Sequence, residues 1–311
     1  MTSAGRFAPS PSGELHVGNL RTAILAWLFA RSTGRTFLMR VEDLDRARAG
    51  AEAEQLRDLA AIGVDWDGGV VRQTDREYLY AEAISQLTAA GLTYECFCTR
   101  REIQEAPSAP HAPQGAYPGT CRNLTDAERA AKRATRPPAV RLRSAVAEVA
   151  VRDVLHGDYT GVVDDFVLRR NDGVTAYNLA VVVDDAEQGI DQVVRGDDLL
   201  PSTPRQAYLA SLLNMPVPEY AHVPLVLNAD GARLAKRDGA VTLADLALAG
   251  VTAEQVRDGL LASLGLPPGR LEQALTAFDP ATLPRDPWVW TGMNAALPGP
   301  GAPPRTASRD A

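Results

Sequence analysis

Several features of membrane and secreted proteins are missing from this chain of 311 residues. No apolar run approaches the ~20 residues needed to cross a bilayer, and residues 1–5 lack the charged and apolar regions of a signal peptide. The chain also has no excess of positive charge, because its formal net charge is −7. An acidic surface argues against nonspecific binding of a polyanion by the surface as a whole. We therefore expect a cytoplasmic, monomeric protein with no membrane partner, in which any RNA contact is confined to one region.

Cysteine is scarce, and the chain has only three, Cys96, Cys98 and Cys121, which lie close together in sequence. The odd number and the clustering make a disulfide framework the weaker interpretation and a local metal site the stronger one. The segment 106–118 is rich in proline and cannot build its own core, so a zinc ion held by thiolates would tie it together. Residue chemistry alone favours His111 as a fourth ligand, because imidazole binds zinc far more often than phenol does.

A turn-forming segment near the start of the chain leads into a long amphipathic helix. Two prolines and a glycine keep residues 9–13 out of helix and strand. From Gly18 onward apolar residues recur at three- and four-residue spacing, and Gly34 stands where a C-terminal cap belongs. His16 is therefore expected at or just before the helix N-terminus, where unpaired N–H groups and the helix dipole favour anions. This geometry predicts a phosphate site.

Charged residues are predicted at the ends of two strands. Residues 36–41 form an apolar strand candidate that ends at Glu42, and Arg195 lies at the end of a later strand. Ligands of an open parallel sheet bind beyond the carboxyl ends of its strands, so both side chains are expected to point into one crevice. The alternative, an exposed acid that caps the next helix, fits Asp43 or Asp45 better than Glu42.

The remaining elements follow from periodicity and from turn residues. Helices are predicted over residues 51–62, 75–90 and 126–134, from a cap at Ser202 or Thr203 to Leu213, and over residues 251–264. Strand patterns occupy residues 140–143 and 165–169, and the apolar run 174–183 is interpreted as a buried segment in the same series, ending at Asp184 and Asp185. Residues 288–290 are expected to pack back on the body, and a Pro/Gly-rich tail follows from Ala295.

One stretch of this acidic chain is strongly basic. It contains Arg129, Lys132, Arg133, Arg136, Arg141 and Arg143. The guanidinium groups suit phosphate, so the stretch could be an RNA-facing surface. Such runs are equally typical of a solvated helix face, and both interpretations stay open.

Two motifs resemble the signatures of class I aminoacyl-tRNA synthetases. The sequence His16-Val17-Gly18-Asn19 resembles the HIGH signature, and the run from Pro9 to Leu15 before it is similar to the glutamate and glutamine branch. Asn19 replaces the second histidine of the signature, and it can donate a hydrogen bond but cannot carry positive charge. Much later, residues 233–238 resemble the KMSKS loop in a degenerate form, with Lys236 on its second lysine.

This resemblance implies a site for glutamate and ATP. The implied catalytic residues are His16 and Lys236, and the implied ATP-binding residues are His16, Gly18, Asn19 and Lys236. The implied glutamate-binding residues are Arg6, Phe7, Ala8, Pro9, Ser10, Glu42, Tyr177 and Arg195. Glu42 would hold the α-amino group, and Tyr177 would line the pocket, where by residue type alone it could equally be a core aromatic. Because a guanidinium fork offers paired donors to a carboxylate, Arg6 and Arg195 favour glutamate over glutamine.

The metal ligands and the reaction are also implied by the resemblance. Cys96, Cys98, Tyr117 and Cys121 would hold one Zn²⁺ per chain, with Tyr117 in the place that residue chemistry gives to His111. The enzyme would be a ligase that activates L-glutamate with ATP and Mg²⁺, without tRNA, to glutamyl adenylate. As in the short glutamyl-Q tRNA(Asp) synthetases, the glutamyl group would then pass to the queuosine base at the wobble position of tRNA(Asp).

Two other functions are compatible with some of these motifs. A truncated glutamyl-tRNA synthetase would charge the tRNA 3′ end, and a noncatalytic paralogue would only bind glutamate or RNA. We expect the first to be wrong because the residues after about 265 are too few for an anticodon-binding domain, which usually needs ~100 residues. Retention of Glu42, Arg195 and Lys236 speaks against the second.

The resulting fold class is α/β, a doubly wound parallel sheet with a small zinc-containing insertion and a short helical C-terminal part. The first half of the catalytic domain is expected at residues 1–93, the insertion at 94–139 and the second half at 140–225. The KMSKS-like loop and a helical end would follow at 226–270, and a partly disordered tail at 271–311.

Overall fold

The computed structural model describes residues 3–45, 47–105, 117–232, 234 and 241–292. It confirms the α/β class. The strands are β1 (Ala4–Phe7), β2 (Thr36–Val41), β3 (Val71–Arg72), β4 (Thr93–Cys96), β5 (Ala139–Leu142), β6 (Glu148–Asp153), β7 (Gly157–Val162), β8 (Val167–Arg169), β9 (Ile190–Gly196), β10 (Glu219–Val223), β11 (Val226–Leu227) and β12 (Trp288–Val289). The α-helices are α1 (Val17–Ser32), α2 (Ala51–Ala61), α3 (Glu77–Ala89), α4 (Arg100–Glu105), α5 (Asp126–Arg133), α6 (Tyr177–Glu187), α7 (Thr203–Leu212), α8 (Leu243–Leu248), α9 (Ala253–Ala262) and α10 (Leu271–Thr276).

A seven-stranded sheet forms the main layer, in the order β3-β2-β1-β9-β10-β6-β7. Every neighbouring pair is parallel except the hairpin β6–β7. The central strands β1 and β9 are far apart in sequence, so the sheet joins two separate parts of the chain. Because these strands run parallel, the end of β1, Glu42 after β2 and Arg195 in β9 lie toward the same edge of the sheet, as predicted.

Helix α1 is buried on most of its surface, in contrast to the predicted amphipathic helix. Its buried residues include the whole run from Ala23 to Ala30. One side contacts β1 and β9 of the sheet, and α9 and α10 cover another side. A helix enclosed in this way needs apolar residues around most of its circumference. The predicted C-terminal cap is confirmed, since Gly34 has a left-handed φ of +71°.

The apolar run 174–183 is largely helical, so its place among the strand patterns was wrong. Helix α6 begins at Tyr177 and contacts α3, α7, β8 and β9. Residues Leu179 to Asp185 are all buried. An element that is covered on all sides has no polar face, and a short apolar run of this kind cannot be assigned to helix or strand from its periodicity. The three consecutive valines favour a strand by propensity, and tertiary packing overrides that preference.

The second sheet is antiparallel and has three strands in the order β4-β5-β8. Its strand β5, which the sequence assigned to the second half of the catalytic domain, pairs directly with β4. The domain boundaries stay a prediction.

The C-terminal part packs on the main body, as predicted for residues 288–290. Strand β12 pairs in parallel with β11, and Trp290 is buried in the cluster that contains α1. Among the described residues, no helix is long and apolar enough to cross a membrane. The predicted tail from Ala295 lies outside the described residues.

Candidate functional site

A cavity of about 730 Å³ opens at the carboxyl ends of β1, β2 and β9. Its volume lies within the range typical of ligand pockets, ~300–1,000 Å³. Eleven residues predicted for the site line it: Arg6, Phe7, Ala8, Pro9, Ser10, His16, Gly18, Asn19, Glu42, Tyr177 and Arg195. The structure thus brings the predicted residues together, while their roles stay predictions.

The N-terminus of α1 lies at this cavity, and His16 is its N-cap residue. The backbone N–H groups of Gly18 and Asn19 donate to His16 Nδ1 at 3.1 and 3.3 Å. Asn19 Oδ1 in turn accepts the backbone N–H of His16 at 3.2 Å. Because Nδ1 is an acceptor, a neutral imidazole here carries its proton on Nε2. His16 therefore caps the helix with Nδ1 and carries its proton on the other ring nitrogen.

Gly18 accommodates the close approach of the His16 ring. A Cβ atom at position 18 would lie 3.0 Å from Cε1 and Nδ1 of His16 and 3.3 Å from Cβ of Val226. The glycine of the HIGH-like motif therefore allows the histidine to fold back over the first turn of α1.

Lys236 lies outside the described residues, but described residues on both sides of it are at this site. Leu234 lines the cavity. On the other side, the carbonyl of Val241 accepts the backbone N–H of Val17 at 3.1 Å, and Thr242 forms an antiparallel bridge with His16. The chain thus leaves and returns close to the N-terminus of α1.

A buried ion-pair network adjoins the cavity. Asp185 Oδ1 lies 3.2 Å from Arg6 Nε and 2.8 Å from Arg40 Nη1. Arg40 Nη2 also lies 3.4 Å from Glu42 Oε1. Although burial by itself would raise the pKa of Asp185, the charges of Arg6 and Arg40 hold it below its usual value. For Glu42 the balance is reversed, and burial raises its pKa despite both arginines.

Asp184, the neighbour of Asp185, anchors the other side of the network. Its carboxylate accepts bonds from Arg76 Nε at 2.6 Å, from Tyr80 Oη at 2.9 Å and from Gln73 Nε2 at 2.8 Å. Arg40 Nε lies 3.6 Å from its Oδ2. The carboxylate is completely buried and satisfied by donors from several elements, so α6 is held tightly against β2 and α3.

Arg195 is held differently from Arg6. Its guanidinium donates to His222 Nε2 at 3.0 Å, to Thr203 Oγ1 at 2.9 Å and to Tyr177 Oη at 3.3 Å. All three acceptors are neutral, and within the described residues no carboxylate lies within ion-pair distance of Arg195. Arg195 is thus held by neutral acceptors only, in contrast to Arg6. Ser202 occupies the predicted N-cap position of α7, but its side chain makes no capping hydrogen bond, and the Thr203 hydroxyl accepts an N–H of Arg195 instead.

Sequence reasoning missed the residues that hold the site from behind. They are Arg40, Gln73, Arg76, Tyr80, Asp153, Asp184, Asp185, Thr203 and His222. Some carried a signal, since a charged or polar residue within an apolar strand has to find a partner when it is buried. Arg40 within β2 and His222 within β10 fit this description, but the sequence does not say which partner each one finds.

The three cysteines form a cluster that is compatible with zinc. Their Sγ atoms lie within 4.8 Å of one another. Tyr117 Oη lies 3.3 Å from Cys96 Sγ and 3.8 Å from Cys98 Sγ, so a phenol oxygen joins the sulfur atoms. His111 lies outside the described residues. The guanidinium of Arg141 stacks 3.7 Å from the centroid of the Tyr117 ring, and its positive charge helps to lower the pKa of the Cys96 thiol. Burial and the neighbouring Cys96 raise the pKa of the Cys98 thiol to about 12.

The basic stretch is extensively paired. Ion pairs join Arg129 to Asp126, Arg133 to Glu95 and Arg136 to Glu102. Arg141 is only 6% exposed. These contacts favour the solvated, ion-paired surface over an unpaired RNA-facing one.

The sequence of this chain is similar to those of known proteins. Residues 4–281 match the family model described as the catalytic domain of class I tRNA synthetases (E and Q). A glutamyl-Q tRNA(Asp) synthetase from Nocardia farcinica is 68% identical over 296 residues, which are 95% of this chain and 95% of that protein. A protein of the same name from Cutibacterium acnes is 55% identical over 85% of this chain and 77% of its own length.

The fold is also found among solved structures. A glutamate tRNA ligase from Elizabethkingia meningosepticum, in complex with its amino acid, superimposes with a TM-score of 0.77 at 24% sequence identity. The match covers 95% of this chain and 68% of that one. At this level of identity the likeness supports the fold alone.

Proposed function

Because the chain belongs to the class I tRNA synthetases of the glutamate and glutamine branch, within the group of glutamyl-Q tRNA(Asp) synthetases, we propose that it activates L-glutamate with ATP and transfers the glutamyl group to queuosine in tRNA(Asp). The names of the relatives and the length of the matches support the RNA acceptor. The geometry of the cavity supports the amino acid.

The observation that carries the choice of glutamate is that Arg195 contacts only neutral acceptors, with no carboxylate within ion-pair distance among the described residues. Arg6, which lines the same cavity, is already paired with Asp185, and Arg40 pairs with the same carboxylate. A side-chain carboxylate in contact with Arg195 and the Tyr177 hydroxyl would give Arg195 an ion-pair partner as well. Glutamine would leave a buried guanidinium without a counter-charge, which is costly in a site of low dielectric constant.

In the first step the residues of the site orient the two substrates. Glu42 would receive the α-ammonium group, which turns the α-carboxylate toward ATP, bound as its magnesium complex. One carboxylate oxygen attacks the α-phosphorus, the bond from phosphorus to the bridging oxygen breaks, and pyrophosphate leaves. His16 Nε2–H, the N-terminus of α1 and Lys236 would stabilise the charge that develops on the phosphate oxygens.

In the second step a hydroxyl group of the queuosine base attacks the carbonyl carbon of glutamyl adenylate. The bond from this carbon to the phosphate oxygen breaks, AMP leaves, and the hydroxyl proton passes to solvent. Positioning accounts for most of this step, because the adenylate is already an activated acyl donor.

One Zn²⁺ per chain would be held by Cys96, Cys98, Tyr117 and Cys121. Three thiols and one phenol that converge in a buried cluster are a suitable tetrahedral donor set, although phenol is an uncommon zinc ligand. The ion would tie the segment 98–121 to β4. It takes no part in either step.

Activation can be tested without RNA, by glutamate-dependent exchange of labelled pyrophosphate into ATP, with glutamine as the matched control. We expect exchange with glutamate alone, because all the predicted glutamate-binding residues line one cavity of this chain. Exchange that requires tRNA, or that is equal with glutamine, would contradict the proposal.

The acceptor can be tested with labelled glutamate and tRNA(Asp) that contains queuosine, before and after removal of the 3′ terminal adenosine. Labelling should survive removal of the adenosine and disappear with tRNA(Asp) that has guanosine at the wobble position. If the label is lost together with the adenosine, the protein charges the 3′ end. Periodate is unsuitable here because it destroys both the ribose diol and the cyclopentene diol.

A further inference from the structure

Arg195 is the last member of a buried chain of hydrogen bonds that crosses three adjacent strands. Arg195 lies in β9, directly opposite His222 in β10. His222 Nδ1 lies 2.7 Å from Oδ2 of Asp153, the last residue of β6. Asp153 and His222 are 2% and 0% exposed, so neither can reach the substrate. Their effect on the reaction has to pass through Arg195.

The hydrogen bonds allow only one tautomer of His222. A guanidinium can only donate, so His222 Nε2 has to accept the Nε–H of Arg195. Thr203 Oγ1 accepts another Arg195 N–H at 2.9 Å and lies 3.1 Å from His222 Nε2, where its hydroxyl can act only as a donor because Nε2 accepts. The imidazole proton is therefore on Nδ1, where Asp153 accepts it.

Asp153 is suited to impose this tautomer because all of its observed partners are donors. Oδ2 accepts the backbone N–H of His222 at 3.0 Å as well as its ring N–H. Oδ1 accepts the backbone N–H groups of Leu155 and His156 at 2.8 and 3.0 Å. A carboxylate held in this way can only accept from Nδ1.

We propose that Asp153 and His222 are positioning residues that hold Arg195 by a neutral acceptor, so that its guanidinium is fixed in place while its full charge remains available to the substrate carboxylate. A carboxylate in direct contact with Arg195 would fix it equally well but would cancel its charge, as Asp185 does in part for Arg6. The histidine separates the fixed negative charge of Asp153 from the arginine. This inference rests on the proposed glutamate site.

Asp153→Asn is the decisive variant, because its amide can turn an N–H toward His222 Nδ1. The imidazole proton would then move to Nε2, where it opposes the N–H of Arg195, and a wrong tautomer of this kind is costly even when the geometry is intact. We expect the glutamate KM in pyrophosphate exchange to rise at least tenfold, with a smaller change in kcat and a smaller preference for glutamate over glutamine.

His222→Gln is the matched control, because its Oε1 can take the place of Nε2 and glutamine has no tautomers. We expect a KM within about threefold of the wild type for this variant and also for the double variant Asp153→Asn/His222→Gln. Long-range ¹H–¹⁵N spectra of histidine-labelled protein report the tautomer directly. The His222 signals should show a protonated Nδ1 in the wild type and a protonated Nε2 in Asp153→Asn.

The outcomes separate this inference from the proposed function. A wild type without glutamate-dependent exchange overturns the proposed function. An active wild type whose KM is unchanged by Asp153→Asn overturns the positioning role, as does a double variant that is no better than Asp153→Asn. If Asp153→Asn does not fold, His222→Leu takes its place. The glutamate KM of His222→Leu should be higher than that of His222→Gln. Equal KM values for these two variants would overturn the inference.

Discussion

Replacement of His16 by asparagine is expected to separate two roles of this side chain. In the structure Nδ1 of His16 caps α1 by accepting two backbone N–H groups. The Oδ1 atom of asparagine, a preferred N-cap residue, can take over these bonds. Asparagine cannot, however, place a donor where His16 Nε2–H would meet the phosphate. His16→Asn should therefore keep the thermal stability of the wild type but lower the rate of adenylate formation.

The magnitudes follow from these contacts. Loss of an N-cap acceptor costs ~1 kcal/mol, so in a chain of 311 residues His16→Ala should lower the melting temperature by roughly 1–2 °C. Loss of one preorganised donor to a developing anion typically lowers the rate ~10²–10³-fold. We expect this loss of kcat in both His16→Asn and His16→Ala, and the loss of stability only in His16→Ala.

Pyrophosphate exchange measures the rate, and thermal unfolding measures the stability. Gly18→Ala is a useful third variant, because its methyl group would displace the His16 ring while leaving its chemistry intact. A smaller loss of rate than in His16→Asn is expected for it. A wild-type rate in His16→Asn would refute the phosphate role, and an unchanged melting temperature in His16→Ala would refute the cap.

Three further predictions concern other parts of the site. Lys236→Ala should raise the activation free energy of adenylate formation by about 2–4 kcal/mol with little change in the glutamate KM. A raised KM at an unchanged rate in exchange assays would show that Lys236 does not contact the phosphates of ATP. Cys121→Ser should release the zinc ion and increase limited proteolysis near residues 99–105 while the main sheet stays folded, and less than about a tenth of an equivalent of zinc in the purified wild type would contradict the metal site. Asp185→Asn should lower the free energy of unfolding by ~3–5 kcal/mol because Arg6 and Arg40 lose their shared partner. The folded pKa of Asp185 lies below its ordinary value. The free energy that the Asp185 carboxylate contributes to folding is therefore present above about pH 3.9 and is lost as the pH falls through the folded pKa. The free energy of unfolding of Asp185→Asn, measured in urea, should accordingly depend less on pH in this acidic range than that of the wild type.

Turns and helix ends could be predicted from residues that are neighbours in the sequence. The turn at residues 9–13, the cap at His16 and the end of α1 at Gly34 depend on residues within a few positions of one another. Their backbone preferences act without help from the rest of the chain. The carboxyl ends of the strands also brought Glu42 and Arg195 to one crevice, because a parallel sheet requires it.

The run 174–183 shows where such reasoning ends. Its composition fits a buried strand and a buried helix equally well, because neither has a polar face. Only the contacts of α6 with α3, α7, β8 and β9 decide for the helix. The helix in turn places Tyr177 at the cavity and Asp184 and Asp185 in the ion-pair network.

The sequence by itself determined that Arg6 and Arg195 stand near strand ends and could meet a carboxylate. It treated the two as equivalent. Tertiary structure made them different, since Arg6 pairs with Asp185, 179 residues away, whereas Arg195 is held by neutral His222, 27 residues away. The charge that a buried side chain offers to a ligand depends on which groups the fold brings within about 4 Å of it, and no pattern of neighbouring residues contains that information.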